Sequence, residues 1–101
     1  MSEQVPTRAI SAQAIMRSAA FVAGVEDVRN GRPPDYDAFT FNQGEEYLGA
    51  ASKITAHWNY ERGRQWASLA PRLMPLKIGA ALNPKAVALF CAAAKRGYIA
   101  R

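Results

Sequence analysis

The stretch AHWNYERGRQWA, residues 56–67, holds two tryptophans, one tyrosine, two arginines and the only histidine of the chain. It belongs to a longer pattern in which apolar or long side chains recur at steps of three and four residues. That spacing is typical of one face of an α-helix. We therefore predict a helix over residues 43–69, and its inward stripe is expected to consist of Tyr47, Ala51, Ile54, Trp58, Gln65 and Leu69.

The aromatic and basic side chains of this stretch fall on different faces of the predicted helix. Trp58 belongs to the apolar stripe and is expected to pack in the core, whereas Trp66 lies about 80° away, at the border of the stripe. The opposite face carries His57, Tyr60 and Arg64 and is expected to face solvent. The stretch can therefore be interpreted as a buried helix seam or as a surface that binds a negatively charged partner.

A first helix is predicted upstream, over residues 11–29. Ser11 is its expected N-cap, and Asn30-Gly31 is a suitable stop. The segment is apolar over most of its circumference, so we expect it to lie centrally, with contacts on two sides. Gly24 within it is expected to admit another helix at close range.

Proline-containing segments separate the predicted helices. Pro33-Pro34 breaks helical continuation in residues 31–43, where an ordered loop is expected to be held to the core by three aromatic side chains, Tyr36, Phe39 and Phe41. Residues 70–84 contain two further prolines before Pro84 and cannot form one regular helix. No convincing strand or hairpin signal is present.

A third helix is predicted over residues 84–96, with Asn83 as N-cap and Pro84 at the first helical position. Its inward face is expected to hold Val87, Phe90, Cys91, Ala94 and Tyr98. At 101 residues the chain is long enough for one core. We predict a compact single all-α domain of three main helices with an ordered Pro-rich loop and flexible residues 1–8.

Composition excludes several classes of protein. Half of the residues are hydrophobic and 21% are charged, which favours a folded globular chain. No apolar run is long enough for a membrane span and no leader pattern precedes the domain, so we expect a cytoplasmic protein. Cys91 and His57 are the single cysteine and histidine, which excludes an intrachain disulfide and a zinc cluster. Cys91 is expected to act as a small buried hydrophobe.

The sequence contains no recognisable catalytic motif. The segment Gly31-Arg32-Pro33-Pro34 lacks the glycine spacing and the Lys-Ser/Thr ending of a phosphate-binding loop. His57 and Cys91 could supply a base and a nucleophile, but their positions give no reason to expect that they meet. We therefore predict a non-enzymatic protein without a metal or cofactor.

Charge is distributed unevenly along the chain. All eight acidic residues lie within the first 61 positions, and residues 62–101 carry eight basic residues and no acid. Such asymmetry points to a polyanion or an acidic protein surface as partner. The candidate binding residues are Arg62, Arg64, Arg72, Lys77, Lys85, Lys95, Arg96, Tyr60 and Trp66.

Arg62 has two interpretations that stay open at this point. Its guanidinium group could bind phosphate or carboxylate with a planar set of donors. Alternatively, it could pair with an internal acid such as Asp27 or Glu61. Arg64 is favoured for binding because it lies on the predicted polar face.

Residues 21–53 resemble the ribosome modulation factor family of small bacterial helical proteins. The order of features is shared: an aromatic-x-x-Gly helix, a Gly-Arg turn, a proline-tyrosine stretch and an aromatic-Leu-Gly element. They correspond here to Phe21-Val22-Ala23-Gly24, Gly31-Arg32-Pro33-Pro34, Tyr36 and Tyr47-Leu48-Gly49. The resemblance implies a related helical hairpin and a bias toward ribosomal RNA or a ribonucleoprotein; residues 54–101 have no counterpart.

Two functions fit these features. In the first, a small basic protein docks on a nucleic acid or a ribonucleoprotein complex and modulates it, with RNA favoured over DNA because unstacked bases lie well on aromatic rings. In the second, an inhibitor or adaptor of the kind that phages and mobile elements encode binds a host complex, such as a nucleic-acid-guided defence complex. Exposed aromatic and arginine side chains would be its anchors. The oligomeric state is left open.

Overall fold

The computed structural model describes residues 12–35 and 50–100, with only the helical backbone described for residues 50–55. This part of the chain is mostly helical, and the longest helix contains the aromatic-basic stretch. A small two-stranded sheet lies between the last two helices in the chain. In chain order the described elements are α1 (Ala12–Arg17), α2 (Ala19–Arg29), α3 (Ala50–Leu69), β1 (Lys77–Ile78), β2 (Ala81–Leu82) and α4 (Pro84–Lys95).

The first predicted helix is divided at Ser18, which corrects the expectation of one continuous helix over residues 11–29. The Ser18 amide and hydroxyl both donate to the carbonyl of Ile15, at 3.1 and 2.7 Å. Its hydroxyl also accepts from the amide of Phe21 at 3.2 Å, so Ser18 is the N-cap of α2. Apolar periodicity continues through this break, which explains why the pattern did not reveal it.

The segment between α3 and α4 contains a short antiparallel hairpin, although its sequence carries no convincing strand signal. Lys77 is paired with Leu82 and Ile78 with Ala81. Gly79 has a φ of 66° in the connecting turn, a conformation that tight hairpin turns require. Two residue pairs are too few for a detectable alternation of apolar and polar residues, so only the turn glycine marked the hairpin.

Helix α4 begins at the predicted cap. The Asn83 side-chain oxygen accepts from the amide of Lys85 at 3.1 Å, and Pro84 occupies the first helical position. The predicted inward face is partly wrong, because Cys91 and Tyr98 are exposed. Phe90 is buried as predicted and Val87 and Ala94 pack partly buried against the core, while Ala86 and Ala93 complete the buried face.

Two physical reasons account for this error. Cys91 follows Phe90 and is rotated by about 100° from it, away from the buried face. Gly97, with a φ of 85°, ends the helical geometry, so helical periodicity no longer applies at Tyr98. The next residue, Ile99, turns back into the core and is 1% exposed.

Phe21 lies where the three longest helices meet. Its ring centroid is 6.2 Å from that of Trp66 on α3 and 5.7 Å from that of Phe90 on α4. Helix α2 therefore has contacts on two sides, as its apolar circumference predicted. The core around Phe21 comprises Met16, Val25, Trp66, Ala67, Ala70, Leu82, Ala86, Phe90, Ala93 and Ile99.

Helices α2 and α3 cross at two glycines. A Cβ atom added to Gly24 would lie 2.3 Å from the Tyr60 carbonyl oxygen, and one added to Gly63 would lie 2.1 Å from the Phe21 carbonyl oxygen. Each glycine thus admits the backbone of the other helix in place of a side chain. The close packing expected at Gly24 is observed, and Gly63 is its counterpart.

Some sequence-based predictions concern residues outside this description and stay predictions. They are the flexible residues 1–8, the Ser11 cap, the loop side chains Tyr36, Phe39 and Phe41, the helix start at residue 43, the Tyr47-Leu48-Gly49 element and the stripe side chains Ala51 and Ile54.

Candidate functional site

Tyr60 is a structural residue rather than the surface residue that the helical pattern predicted. Its side chain is 1% exposed, and its hydroxyl donates to Asp27 at the end of α2. The same hydroxyl accepts from the backbone amide of Asp35 at 2.9 Å. Tyr60 therefore fastens the segment that follows α2 onto α3, which removes it from the candidate binding residues.

Asp27 is the centre of a polar cluster around this hydroxyl. Arg32 Nε donates to Asp27 Oδ1 at 2.9 Å. The hydrogen bond from Tyr60 and then the one from Arg32 lower the pKa of Asp27. Burial and then the bond to Asp27 raise the pKa of Tyr60. Arg64 lies near this pair: its charge also lowers the pKa of Asp27, and it opposes the rise in the pKa of Tyr60, so its guanidinium is placed at the polar cluster.

We expect Tyr60→Phe to lower the free energy of unfolding by roughly 1–2 kcal/mol at pH 7, because it removes a buried hydrogen bond to a charged group. Asp27 has a lowered pKa in the folded state, so its stabilising contribution is present above about pH 4 and lost as pH falls through the folded pKa. The variant should therefore lose less stability than the parent on acidification below about pH 4.

Urea unfolding at a series of pH values measures this effect. Tyr98→Phe is the matched control, because it removes an exposed hydroxyl and should leave the pH profile unchanged. If acidification lowers the free energy of unfolding equally in Tyr60→Phe and the parent, the Tyr60–Asp27 bond contributes nothing to stability.

The two tryptophans have environments opposite to those predicted. Trp66 is fully buried, and its Nε1 donates to the Ala86 carbonyl of α4 at 3.2 Å. The guanidinium carbon of Arg29 lies 5.2 Å from the centre of its ring, within the range of a cation–π contact. Trp58 is 43% exposed. Trp66 therefore joins α2, α3 and α4 and is not available as a surface anchor.

Arg62 holds the C-terminal segment against α3. Its Nε donates to the Ala100 carbonyl at 2.8 Å, and its Nη1 donates to Asn59 Oδ1 at 2.9 Å. The Ala100 amide in turn donates to Gln65 Oε1 at 2.7 Å. Burial lowers the pKa of Arg62. Phosphate binding by Arg62 is disfavoured, because its guanidinium group already donates to protein oxygens. The alternative ion pair with Asp27 is not formed, because Asp27 bonds to Tyr60 and Arg32.

The five remaining candidate cations are all exposed, and we call them the basic surface: Arg72, Lys77, Lys85, Lys95 and Arg96. Within residues 12–35 and 50–100, none of them forms an ion pair. No acidic residue follows position 61 in the sequence, so acids close in sequence do not neutralise them. Exposed cations that pair with none of the described acidic residues are suited to binding phosphate groups.

Four of these cations fall in two groups along α4, and the fifth, Arg72, lies in the segment between α3 and β1. Strand pairing sets Lys77 opposite Leu82, three residues before Lys85, so both lysines lie near the start of the helix. Lys95 and Arg96 lie at the other end. Lys85 and Arg96 are eleven residues apart, which corresponds to about 16 Å along the axis and nearly the same face of a helix.

The residues that could bear chemistry lie on different helices. His57 is half-buried on α3, with its ring edge-on to Trp58 at 5.6 Å, and Cys91 is exposed on α4, which corrects its predicted burial. Across the described ranges there is no group of three histidine, cysteine or acidic residues that could hold a metal ion. In those ranges no helix has the length and apolar character of a membrane span.

Three exposed aliphatic side chains were missed by the sequence reasoning, one of them Leu69, which was predicted to face inward but is 44% exposed. Leu73 is 90% exposed and Ile78 is 60% exposed, and each directly follows a cation of the basic surface. The available signal was their position among prolines and glycine, where no helix could bury them.

Comparison of the chain with protein-family models, curated proteins and solved structures yields no match.

Proposed function

We propose that this protein is a small non-enzymatic binding protein that docks on a nucleic acid or a ribonucleoprotein complex through the basic surface. The observation that carries the proposal is the set of five exposed cations without acidic partners among the described residues. Cations of this kind displace condensed counterions from phosphate groups, which drives binding to nucleic acids regardless of sequence. The predicted single all-α domain of three main helices, here α2, α3 and α4, is the scaffold for this surface.

The outward face of α4 supports phosphate contact in particular. Between Lys85 and Lys95 that face carries the exposed residues Ala88, Cys91 and Ala92, none of which is large. Small side chains let the helix approach a phosphate backbone closely, while the cations at both ends reach separate phosphates. The face is therefore suited to backbone contact more than to reading bases.

RNA or a ribonucleoprotein is the partner that we favour over DNA. The support for this preference is the resemblance of residues 21–53 to the ribosome modulation factor family. Stacking of bases on Tyr60 and Trp66 no longer supports it, because both side chains are buried. The proposal therefore depends on phosphate contacts and not on aromatic stacking.

Salt dependence tests the proposal quantitatively. Five phosphate contacts predict a slope of log affinity against log salt concentration of about −4.5 for duplex DNA and about −3.5 for a single strand. Lys95→Gln should reduce the magnitude of this slope by about 1. Arg32→Gln is the matched control, because it removes the same charge from a side chain already paired with Asp27.

Fluorescence anisotropy with labelled RNA and DNA over a series of salt concentrations gives both slopes. Equal effects of Lys95→Gln and Arg32→Gln would mean that only net charge matters and that α4 is not the contact face. Negligible affinity for both nucleic acids at about 50 mM salt, where phosphate contacts are strongest, would reject nucleic-acid binding.

The inhibitor or adaptor function relied on exposed Tyr60, Trp66 and Arg64 as anchors. The first two are buried and the third is half-buried, so this hypothesis loses the side chains that motivated it. Affinity purification from the native host, with and without nuclease, separates the two functions. Loss of all partners after nuclease treatment supports the nucleic-acid proposal, and a protein partner that survives supports the adaptor.

A further inference from the structure

The connector, which we define as residues 70–83, displays two large aliphatic side chains to solvent. Leu73 is 90% exposed and Ile78 is 60% exposed. Arg72 precedes the first and Lys77 precedes the second in the chain, so an exposed cation adjoins each exposed apolar residue in sequence. One exposed apolar side chain is ordinary on a protein surface, but two in one ordered segment, each next to a cation in the chain, give that segment a mixed apolar and cationic composition.

Several hydrogen bonds hold the connector in place from both sides. Arg29, which lies over the Trp66 ring, donates from Nη2 to the Met74 carbonyl at 2.7 Å. Asn83 donates from its side chain to the Pro75 carbonyl and from its amide to the Leu76 carbonyl, both at 2.9 Å. The exposed aliphatic groups therefore project from a fixed backbone, which lowers the entropy lost when they bind.

The chemistry of the connector fits a nucleic acid better than a protein groove. Protein interfaces are depleted in lysine, and their dominant anchors are tryptophan, tyrosine and arginine, with leucine under-represented. Leucine and isoleucine are, by contrast, among the side chains that proteins insert between base steps from the minor groove, next to cations that bind the flanking phosphates. The pairs Arg72-Leu73 and Lys77-Ile78 have this composition.

We infer that Leu73 and Ile78 act as apolar wedges that separate stacked bases of a duplex, while Arg72 and Lys77 bind nearby phosphates. This inference rests on the proposed function and assigns the connector a role beyond phosphate contact. Duplex DNA and duplex RNA both present stacked base steps at a minor groove, and the experiment below distinguishes them.

The test uses the full chain with DNA and RNA duplexes that carry 2-aminopurine, whose fluorescence rises when it is unstacked. The parent protein should increase this fluorescence on one duplex type. The variant Leu73→Ser/Ile78→Ser should abolish the increase, lower affinity about tenfold or more and leave the salt slope unchanged, because apolar burial is lost and charge is not.

The matched control is Trp58→Ala, which removes a partly exposed apolar side chain on α3, outside the connector. It should retain the fluorescence increase, and a thermal melt of each variant verifies that it is folded. Binding by the parent without any fluorescence increase on either duplex overturns the wedge and leaves the proposed function standing. Absence of binding by the parent rejects both.

A third outcome would reassign the connector. If Leu73→Ser/Ile78→Ser keeps full affinity for both duplexes but loses a protein partner that survives nuclease treatment, the two side chains bind protein, and the wedge is rejected.

Discussion

Gly63→Ala should destabilise the protein by about 3 kcal/mol. Helix propensity alone predicts the opposite sign, because alanine is favoured over glycine in a helix by about 1 kcal/mol. The new Cβ atom, however, would lie 2.1 Å from the Phe21 carbonyl oxygen and 2.9 Å from the Phe21 carbonyl carbon. Backbone atoms cannot rotate away as side chains do, so the helices would have to separate.

Urea unfolding monitored by circular dichroism measures this change. Gly24→Ala should have a similar effect, because its Cβ atom would meet the Tyr60 carbonyl oxygen at 2.3 Å. Ser68→Ala is the control on the same helix, since Ser68 is exposed, and should change stability by less than about 0.5 kcal/mol. A Gly63→Ala protein as stable as the parent would show that α2 and α3 do not cross as described.

Trp66→Ala is expected to destabilise the protein by about 3–5 kcal/mol, the cost of removing a large buried aromatic side chain. The substitution removes the ring contact with Phe21, the hydrogen bond to Ala86 and the aromatic face over which Arg29 lies. All three helices that meet at Phe21 lose packing at once.

The second tryptophan provides an internal control for this experiment. Trp58→Ala removes the same atoms from a site that is 43% exposed, and we expect a clearly smaller loss, about 1–2 kcal/mol. Chemical unfolding gives both values, and the fluorescence of Trp58 reports on the Trp66 variant. If the Trp58 substitution costs more than the Trp66 substitution, the described rotation of α3 is wrong.

Helix existence could be read from the sequence because the signals were local. Asn83 and Pro84 satisfy the start of α4 through their own side-chain and backbone chemistry, so the cap was predictable. The interruption at Ser18 was less visible, because serine is tolerated both within a helix and at its cap. Only the hydrogen bond from the Ser18 hydroxyl back to the Ile15 carbonyl distinguishes the cap from a serine within a helix.

The rotation of α3 about its axis could not be read from hydrophobicity. An apolar stripe through Trp58 was expected to face inward, but the buried positions of α3 include Tyr60, Gly63 and Trp66. Glycine contributes nothing to a hydrophobic pattern, yet Gly63 sets the face that touches α2. The repeated aromatic-x-x-Gly spacing, Phe21 to Gly24 and Tyr60 to Gly63, was the available signal.

The candidate site was partly predictable for a related reason. Sequence identifies which residues carry charge, but not which charges the protein itself uses. In the sequence, Arg62 and Arg64 are positive charges like Lys95. In the structure, Arg62 bonds to the backbone of Ala100 and Arg64 lies near Asp27. Such contacts join residues far apart in the chain, and no local pattern encodes them.

The backbone contact between α2 and α3 also limits how this protein can change shape. A contact between a carbonyl oxygen and a glycine Cα contains no rotatable side-chain bond, so neither helix can slide along the other by exchanging rotamers. The joint with α4 differs, because it is made by side chains such as Phe90 and Leu82, which can repack. A ligand that reshapes the molecule would therefore change the packing of α4 against these two helices and leave the α2–α3 crossing as it is.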